Sequence, residues 1–303
     1  MAPEQPAPRA VFVGLATLDV LHWVDAPPAA NQKVTALRQD VAAGGPATNA
    51  AVTFAALGGQ AQLISAVGAS AAASVLREDL ETHGVELIDV VGSGRFQLPV
   101  SAIAVTEASG ERTIVSVDAA GQAVPVPAQA LRSIAGAAAV LVDGHHPELA
   151  LAAASEARKC GVPVILDAGR WKPVMSELLP LTDIAICSAD FRVPGTTSSA
   201  QTAAELAALD VPAIAVTNGA APISWRQQNQ AGIVDVPEVR AVDTLGAGDS
   251  FHGAFAFFHA DPAMEFSDAL AAAARVAALR CQFTGPREWL GHLAELDLKR
   301  SSS

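Results

Sequence analysis
The chain has 303 residues, 51% of them hydrophobic, and a formal net charge of −12. Length and apolar content support one large core, while an acidic balance without any Lys/Arg cluster excludes nucleic acid and an anionic membrane as principal partners. The apolar stretches are Ala-rich and interrupted, so no transmembrane helix is expected, and Cys160, Cys187 and Cys281 read as buried, reduced thiols of a cytoplasmic protein.

The first eight residues carry neither a basic nor an apolar leader region, so residues 1–9 are expected to be a frayed tail and 10–303 one domain. Strands are expected at Ala10–Leu15, Gln62–Val67, Ala139–Asp143, Val162–Asp167, Asp183–Cys187 and Ala213–Thr217. Helical patterns alternate with them at Ala47–Leu57, Ala71–His83, Pro147–Cys160 and Ser199–Leu209, and continue at Ala247–His259 and Phe266–Gln282. Near-continuous apolar strands alternating with helices predict an α/β fold, a mostly parallel sheet covered on both faces. Such sheets take ligands beyond the carboxyl ends of their strands.

Residues 20–41 and 97–117 break this rhythm. Both show strand patterning without crossover helices, and the second reads as a hairpin turning through Ala108-Ser109-Gly110. Together they predict a small β-sheet projecting from the body, with one apolar face that must close over a substrate or meet a second subunit.

Four stretches could carry chemistry. Asp243-Thr244-Leu245-Gly246-Ala247-Gly248-Asp249 opens a helix, where glycines and the helix N-terminus can aim N–H groups at one anion. Asp249 beside such a cradle suits a base that takes an alcohol proton during phosphoryl transfer; a dipole-favoured helix-terminal Asp is the plainer alternative. A dinucleotide fingerprint is disfavoured by Phe251 at the third glycine position, and no P-loop pattern exists. Gly44-Gly45-Pro46-Ala47-Thr48-Asn49 opens an earlier helix; it is either a glycine turn with a capping Asn49 or a site where that amide meets sugar hydroxyls. Asp19 follows the first strand, where a carboxylate can accept from two hydroxyls or merely cap a loop. Thr217-Asn218-Gly219 ends a buried strand and either approaches a phosphate or marks a turn. His145 and His146 lack a third ligand at useful spacing and read as loop residues.

These pieces, in this order, resemble the ribokinase-like (PfkB) carbohydrate kinase family over nearly the whole chain, with ketohexokinase and sulfofructose kinase members similar in local stretches. The resemblance implies a Rossmann-like αβα three-layer body with a β-lid, and phosphorylation of a small sugar by ATP with Mg2+; a nucleoside kinase or a sugar- or nucleotide-sensing protein on the same fold are the alternatives. It further implies Asp249 as catalytic base and Gly246, Ala247 and Gly248 as anion hole. Asp19, Gly45, Asn49 and Arg112 would hold the sugar, and Thr217 and Gly219 would line the ATP site. A homodimer through the lid is implied, and a K+ requirement is left open. The chain departs from the family pattern at Ser188 and Phe191, where many members carry an Asn-x-x-Glu motif, at Pro46, and at Pro222.

Overall fold
The computed structural model describes residues 6–94, 96–119 and 121–296. In chain order the elements are β1 (Arg9–Val13), β2 (Thr17–Val24), β3 (Arg38–Gly44), α1 (Pro46–Ala56), β4 (Gln60–Ser65), α2 (Ala71–Thr82), β5 (Val85–Asp89), β6 (Val100–Thr106) and β7 (Arg112–Val115). The short α3 (Ala128–Leu131), β8 (Ala139–Val142), α4 (Pro147–Cys160), β9 (Val164–Ala168), the short α5 (Met175–Leu178), β10 (Ile184–Ser188) and α6 (Ser199–Ala208) follow. The chain then runs through β11 (Ala213–Asn218), β12 (Ala221–Gln227), β13 (Gln230–Val234), α7 (Ala247–His259) and α8 (Phe266–Arg280).

One sheet has the order β13-β12-β11-β10-β9-β8-β1-β4-β5, and from β11 to β5 every pairing is parallel. β8 and β9 are buried at every residue, which is why they read as unbroken apolar runs. Alternation along β1 divides the core. Phe12 joins the layer containing α1, α2, α7 and α8, while Val11 and Val13 join the layer of α3, α4, α5 and α6. The helices end where their chemistry stops them: Pro147 starts α4 in its first turn, and Gly161 closes it in the left-handed conformation at φ +68°.

A second sheet has the order β3-β2-β6-β7. Leu21, Trp23, Ile103 and Val105 cluster on one face, against Leu245 of the loop before α7. The other face is bare: Val41, Val100 and Val115 remain 42–69% exposed.

The structure corrects several expectations. Arg9 is not tail: it begins β1, and its guanidinium donates to the carbonyls of Ser133 and Ala135. Residues 1–5 lie outside the described residues. The small sheet starts earlier than expected, at Thr17, because Asp19 pairs with Ala42 on one side and Ser101 on the other; Asp19 is therefore in β2, not in a loop after β1. β5 and the β12–β13 hairpin were not anticipated. Cys160, at the end of α4, is exposed rather than buried, while Cys187 is buried; all three cysteines are free thiols. Among the described residues, no helix is long and apolar enough to cross a membrane.

Candidate active site
The two glycine motifs meet because the backbone leaves room for them to do so. A Cβ on Gly44 would fall 2.0 Å from Asp19 Oδ2, and one on Gly45, whose φ is +100°, would fall 2.3 Å from the Leu15 carbonyl. Only glycine lets β3 pass beneath Asp19 and turn into α1, where Pro46 supplies the first turn. Asp143, buried at the end of β8, ties this corner together. Its carboxylate accepts the N–H groups of Leu15 (2.9 Å), Ala47 (3.2 Å) and His145 (2.8 Å), joining the ends of β1 and β8 to the start of α1.

α7 crosses α1 at Gly253, where a Cβ would lie 2.1 Å from the Ala50 carbonyl. This contact brings Asn49 to Asp249 across 200 residues of sequence: Asn49 Nδ2 donates to Asp249 Oδ2 at 2.8 Å. The start of α7 also sits over the carboxyl ends of β9 and β10, since His252 contacts the Ile186 carbonyl at 3.4 Å and Asp167 Oδ1 at 3.6 Å. Gly246 caps α7 in the left-handed conformation, φ +71°, and no side chain caps this end. The Ala247 N–H turns back to the Thr244 carbonyl at 3.3 Å, and the first intrahelical bond runs from Ser250 to Gly246. The N–H groups of Gly248 and Asp249 therefore have no intrahelical acceptor. Nothing lies within 4 Å of a Cβ placed on Gly248, so the helix surface at that residue is open.

The helix terminus is expected to keep Asp249 ionised at neutral pH; burial, reinforced by the neighbouring Asp167 carboxylate, pushes its carboxyl up to about 6, against a downward pull from the Asn49 hydrogen bond. Ionised form still dominates at neutral pH. Asp19 is also raised by burial, with the Thr17 hydroxyl, 2.7 Å away, favouring its charged form.

Arg287 went unnoticed in the sequence. It follows Gly285-Pro286, outside every motif, yet its guanidinium donates to Asn49 Oδ1 (3.3 Å), the Ala43 carbonyl and Asp79 Oδ2 (3.0 Å). Burial alone would raise Asp79, but His83 and Arg287 hold it down to about 2. The resulting chain Asp79–Arg287–Asn49–Asp249 fixes the Asn49 amide with its NH2 toward Asp249. Asp19, Asn49, Gly246 and Arg287 line one cavity.

The remaining expected residues take different places. Arg112, exposed at the start of β7, donates to Thr244 Oγ1 at 2.7 Å. At the lid tip, a Cβ on Gly110 would lie 2.7 Å from the Val242 carbonyl, so the small sheet rests on the loop before α7. Thr217, next to last in β11, pairs with Ser188 of β10 and donates its hydroxyl to the Cys187 carbonyl. Gly219 is exposed at φ +55° with open space around its Cα. Of the residues that depart from the family pattern, Ser188 donates to the Gly169 carbonyl and Phe191 is fully buried beside Trp171. His145 pairs with Asp118 at 3.0 Å and His146 precedes α4, as loop residues do.

Helix-terminal N–H groups beside a half-buried carboxylate, at the carboxyl edge of a parallel sheet, make an anion site of the kind phosphotransferases use. The sequence profile of the pfkB family carbohydrate kinases matches residues 7–290, and the chain belongs to that family. A ribokinase of Arabidopsis thaliana is 28% identical over 270 residues, covering 84% of this chain and 71% of the relative. An ATP-dependent ribose-1-phosphate kinase of Halopiger xanaduensis is 28% identical over 260 residues, covering 82% and 83%. The structure of Arabidopsis thaliana ribokinase complexed with ribose and ATP superposes with a TM-score of 0.79 at 25% identity, covering 97% of this chain and all of that one. The protein is thus an ATP-dependent sugar kinase, a phosphotransferase with an alcohol acceptor.

Proposed function
We propose that the acceptor is a small sugar, a pentose or ketose, held by Asp19, Gly45 and Asn49, and that Asp249 is the base. The observation that carries this reading is the 2.8 Å Asn49–Asp249 hydrogen bond, which puts the sugar-facing motif and the phosphoryl-facing motif in one place. A carboxylate with its pKa near 6 cannot strip a free alcohol. Asp249 orients the hydroxyl and takes its proton late, as the sugar O–P bond forms and the bond to ADP breaks. The N–H groups at Gly246, Gly248 and Asp249 face the charge on the transferring group, whereas the Ala247 N–H, expected among them, turns back to the Thr244 carbonyl.

Asp167, 7% exposed, offers a hard oxygen donor beside this cradle, which fits a Mg2+ arriving on the phosphates of ATP. That ion would neutralise phosphate charge. Thr217 and Gly219 line the nucleotide side. Their support is their position at the carboxyl edge, one strand from the β10 terminus beneath α7. Arg112 acts from the lid through Thr244, ordering the loop rather than gripping the sugar.

The bare face of the small sheet fits a second copy of this chain, giving a homodimer through the lid. Val115→Glu should then shift sedimentation from dimer to monomer; a wild-type monomer at all accessible concentrations would overturn this. Free thiols suit a cytoplasmic protein. ADP release from MgATP across pentoses, ketohexoses and nucleosides tests the substrate. Turnover with pentoses or ketoses at kcat/KM of ~10⁴ M⁻¹s⁻¹ or more is expected. Preference for nucleosides, or ATP binding without turnover on any acceptor, would overturn the acceptor assignment.

A further inference from the structure
Arg280, the last residue of α8, is among the largest buried side chains, and its partner Asp243 is equally buried, at 2% exposure each. Arg280 Nη2 donates to Asp243 Oδ2 at 2.9 Å. Nη1 donates to the Phe283 carbonyl at 2.9 Å and to the Asp243 carbonyl at 3.4 Å. The Asp243 carboxylate also accepts the N–H groups of Leu245 (2.9 Å) and Gly285 (3.2 Å). The guanidinium therefore sits among one carboxylate and two main-chain carbonyls, directly beneath the loop that leads to Gly246 and Asp249.

A carboxylate and backbone carbonyls converging on one positive centre form the donor set of a hard inorganic cation. Here the positive centre is covalently part of the chain and cannot be deprotonated. Family resemblance leaves a K+ requirement open, and these residues do not fit K+: the oxygens that would ligate it already accept from Arg280. Placing a second cation among them would set two buried positive charges side by side on the one Asp243 carboxylate.

We propose that Arg280 is a built-in cation. It is a positioning residue that holds the loop from Thr244 to Asp249 through Asp243, and it makes the protein independent of potassium. The role in catalysis rests on the assignment of that loop to phosphoryl transfer; independence from potassium as a ligand does not.

The test is thermal melting and sugar-dependent ADP release of the wild type in KCl against tetramethylammonium chloride, both at about 0.1 M so that screening is equal. No shift in melting temperature and less than about twofold change in kcat are expected, where an allosteric cation gives 5-fold or more. A potassium-dependent rise in wild-type melting temperature, the mass-action signature of a bound ligand, overturns the proposal whichever sugar is used. Absence of turnover on every acceptor, with melting still blind to potassium, would instead count against the functional reading alone. Arg280→Ala provides the converse. The variant should lose about tenfold or more in kcat, with KM little changed, and regain both kcat and melting temperature with K+ or guanidinium but not tetramethylammonium. A folded variant that neither ion restores overturns the cation role; if it does not fold, the wild-type measurement decides.

Discussion

The two sheets carry the same kind of apolar strand yet bury it differently. In the large sheet, helices cover both faces, and β8 and β9 are wholly enclosed. In the small sheet only one face is covered, partly by Leu245 itself, while Val100 and Val115 on the other stand 42% and 69% exposed. The platform holds the charges of the site through buried, over-determined bonds; the small sheet lends Asp19 to the cavity from β2, while its outer hairpin reaches the loop before α7 through Arg112, an exposed side chain bonded to Thr244. Chemistry should therefore depend on the platform steeply and on the outer hairpin of the lid gently.

Asp249→Asn is the most severe way to test that contrast. It should cut phosphorylation by ~10²–10⁴-fold, read by ADP release, while leaving the fold intact by circular dichroism. Near-full activity would remove Asp249 as base. Asp143→Ala should mainly affect stability. Three N–H groups lose a buried acceptor, each worth about 1–3 kcal/mol if left unpaired, so the urea midpoint should fall well below that of the wild type.

A third test reads electrostatics. Asp249 must be ionised to accept a proton, so the acid limb of kcat should fall as pH drops through about 6. Asn49→Ala removes a hydrogen bond that favours the charged carboxylate, so this limb should move to higher pH. A limb that stays in place would show that another group titrates. Stability carries the opposite sign. Because the folded carboxyl is raised, the native state binds its proton more tightly, and stability contributed by Asp249 falls as pH rises from about 4 to about 6. The gentlest effect is expected at the lid. Arg112→Ala loses one exposed hydrogen bond worth ~0.5–1.5 kcal/mol, or about 2–10-fold, in KM or in ATP hydrolysed without sugar.

The platform was also the more legible region. The bounds of α4 and α7 follow from local signals: Pro147 and Gly161 bracket the first, and Gly246 opens the second. β1, β4, β8, β9, β10 and β11 announce themselves because burial on both faces demands continuous apolar residues. The β12–β13 hairpin, reading Ser-Trp-Arg-Gln-Gln-Asn-Gln through its turn, pairs antiparallel at the sheet edge and carries no such run. Asp19 looked like a loop residue because its strand depends on partners at Ala42 and Ser101, distant in sequence. Arg287 and the Arg280–Asp243 pair were invisible for a related reason: a lone arginine has no spacing, and only the fold supplies its carboxylate. The direction of the Asp249 shift likewise depends on burial and on Asp167, neither of which a motif displays.

Gly253 has a consequence for how this enzyme can change. Its missing side chain makes the gap between α1 and α7 a backbone-to-backbone contact, 2.1 Å from where a methyl would sit. The separation of the Asn49 and Asp249 motifs, to which we assign acceptor and proton, is thus gauged by main chain rather than by replaceable side chains. Substitutions in the lid can explore new acceptors while that gauge stays constant. A single methyl at position 253 would misalign both halves at once, for every acceptor alike.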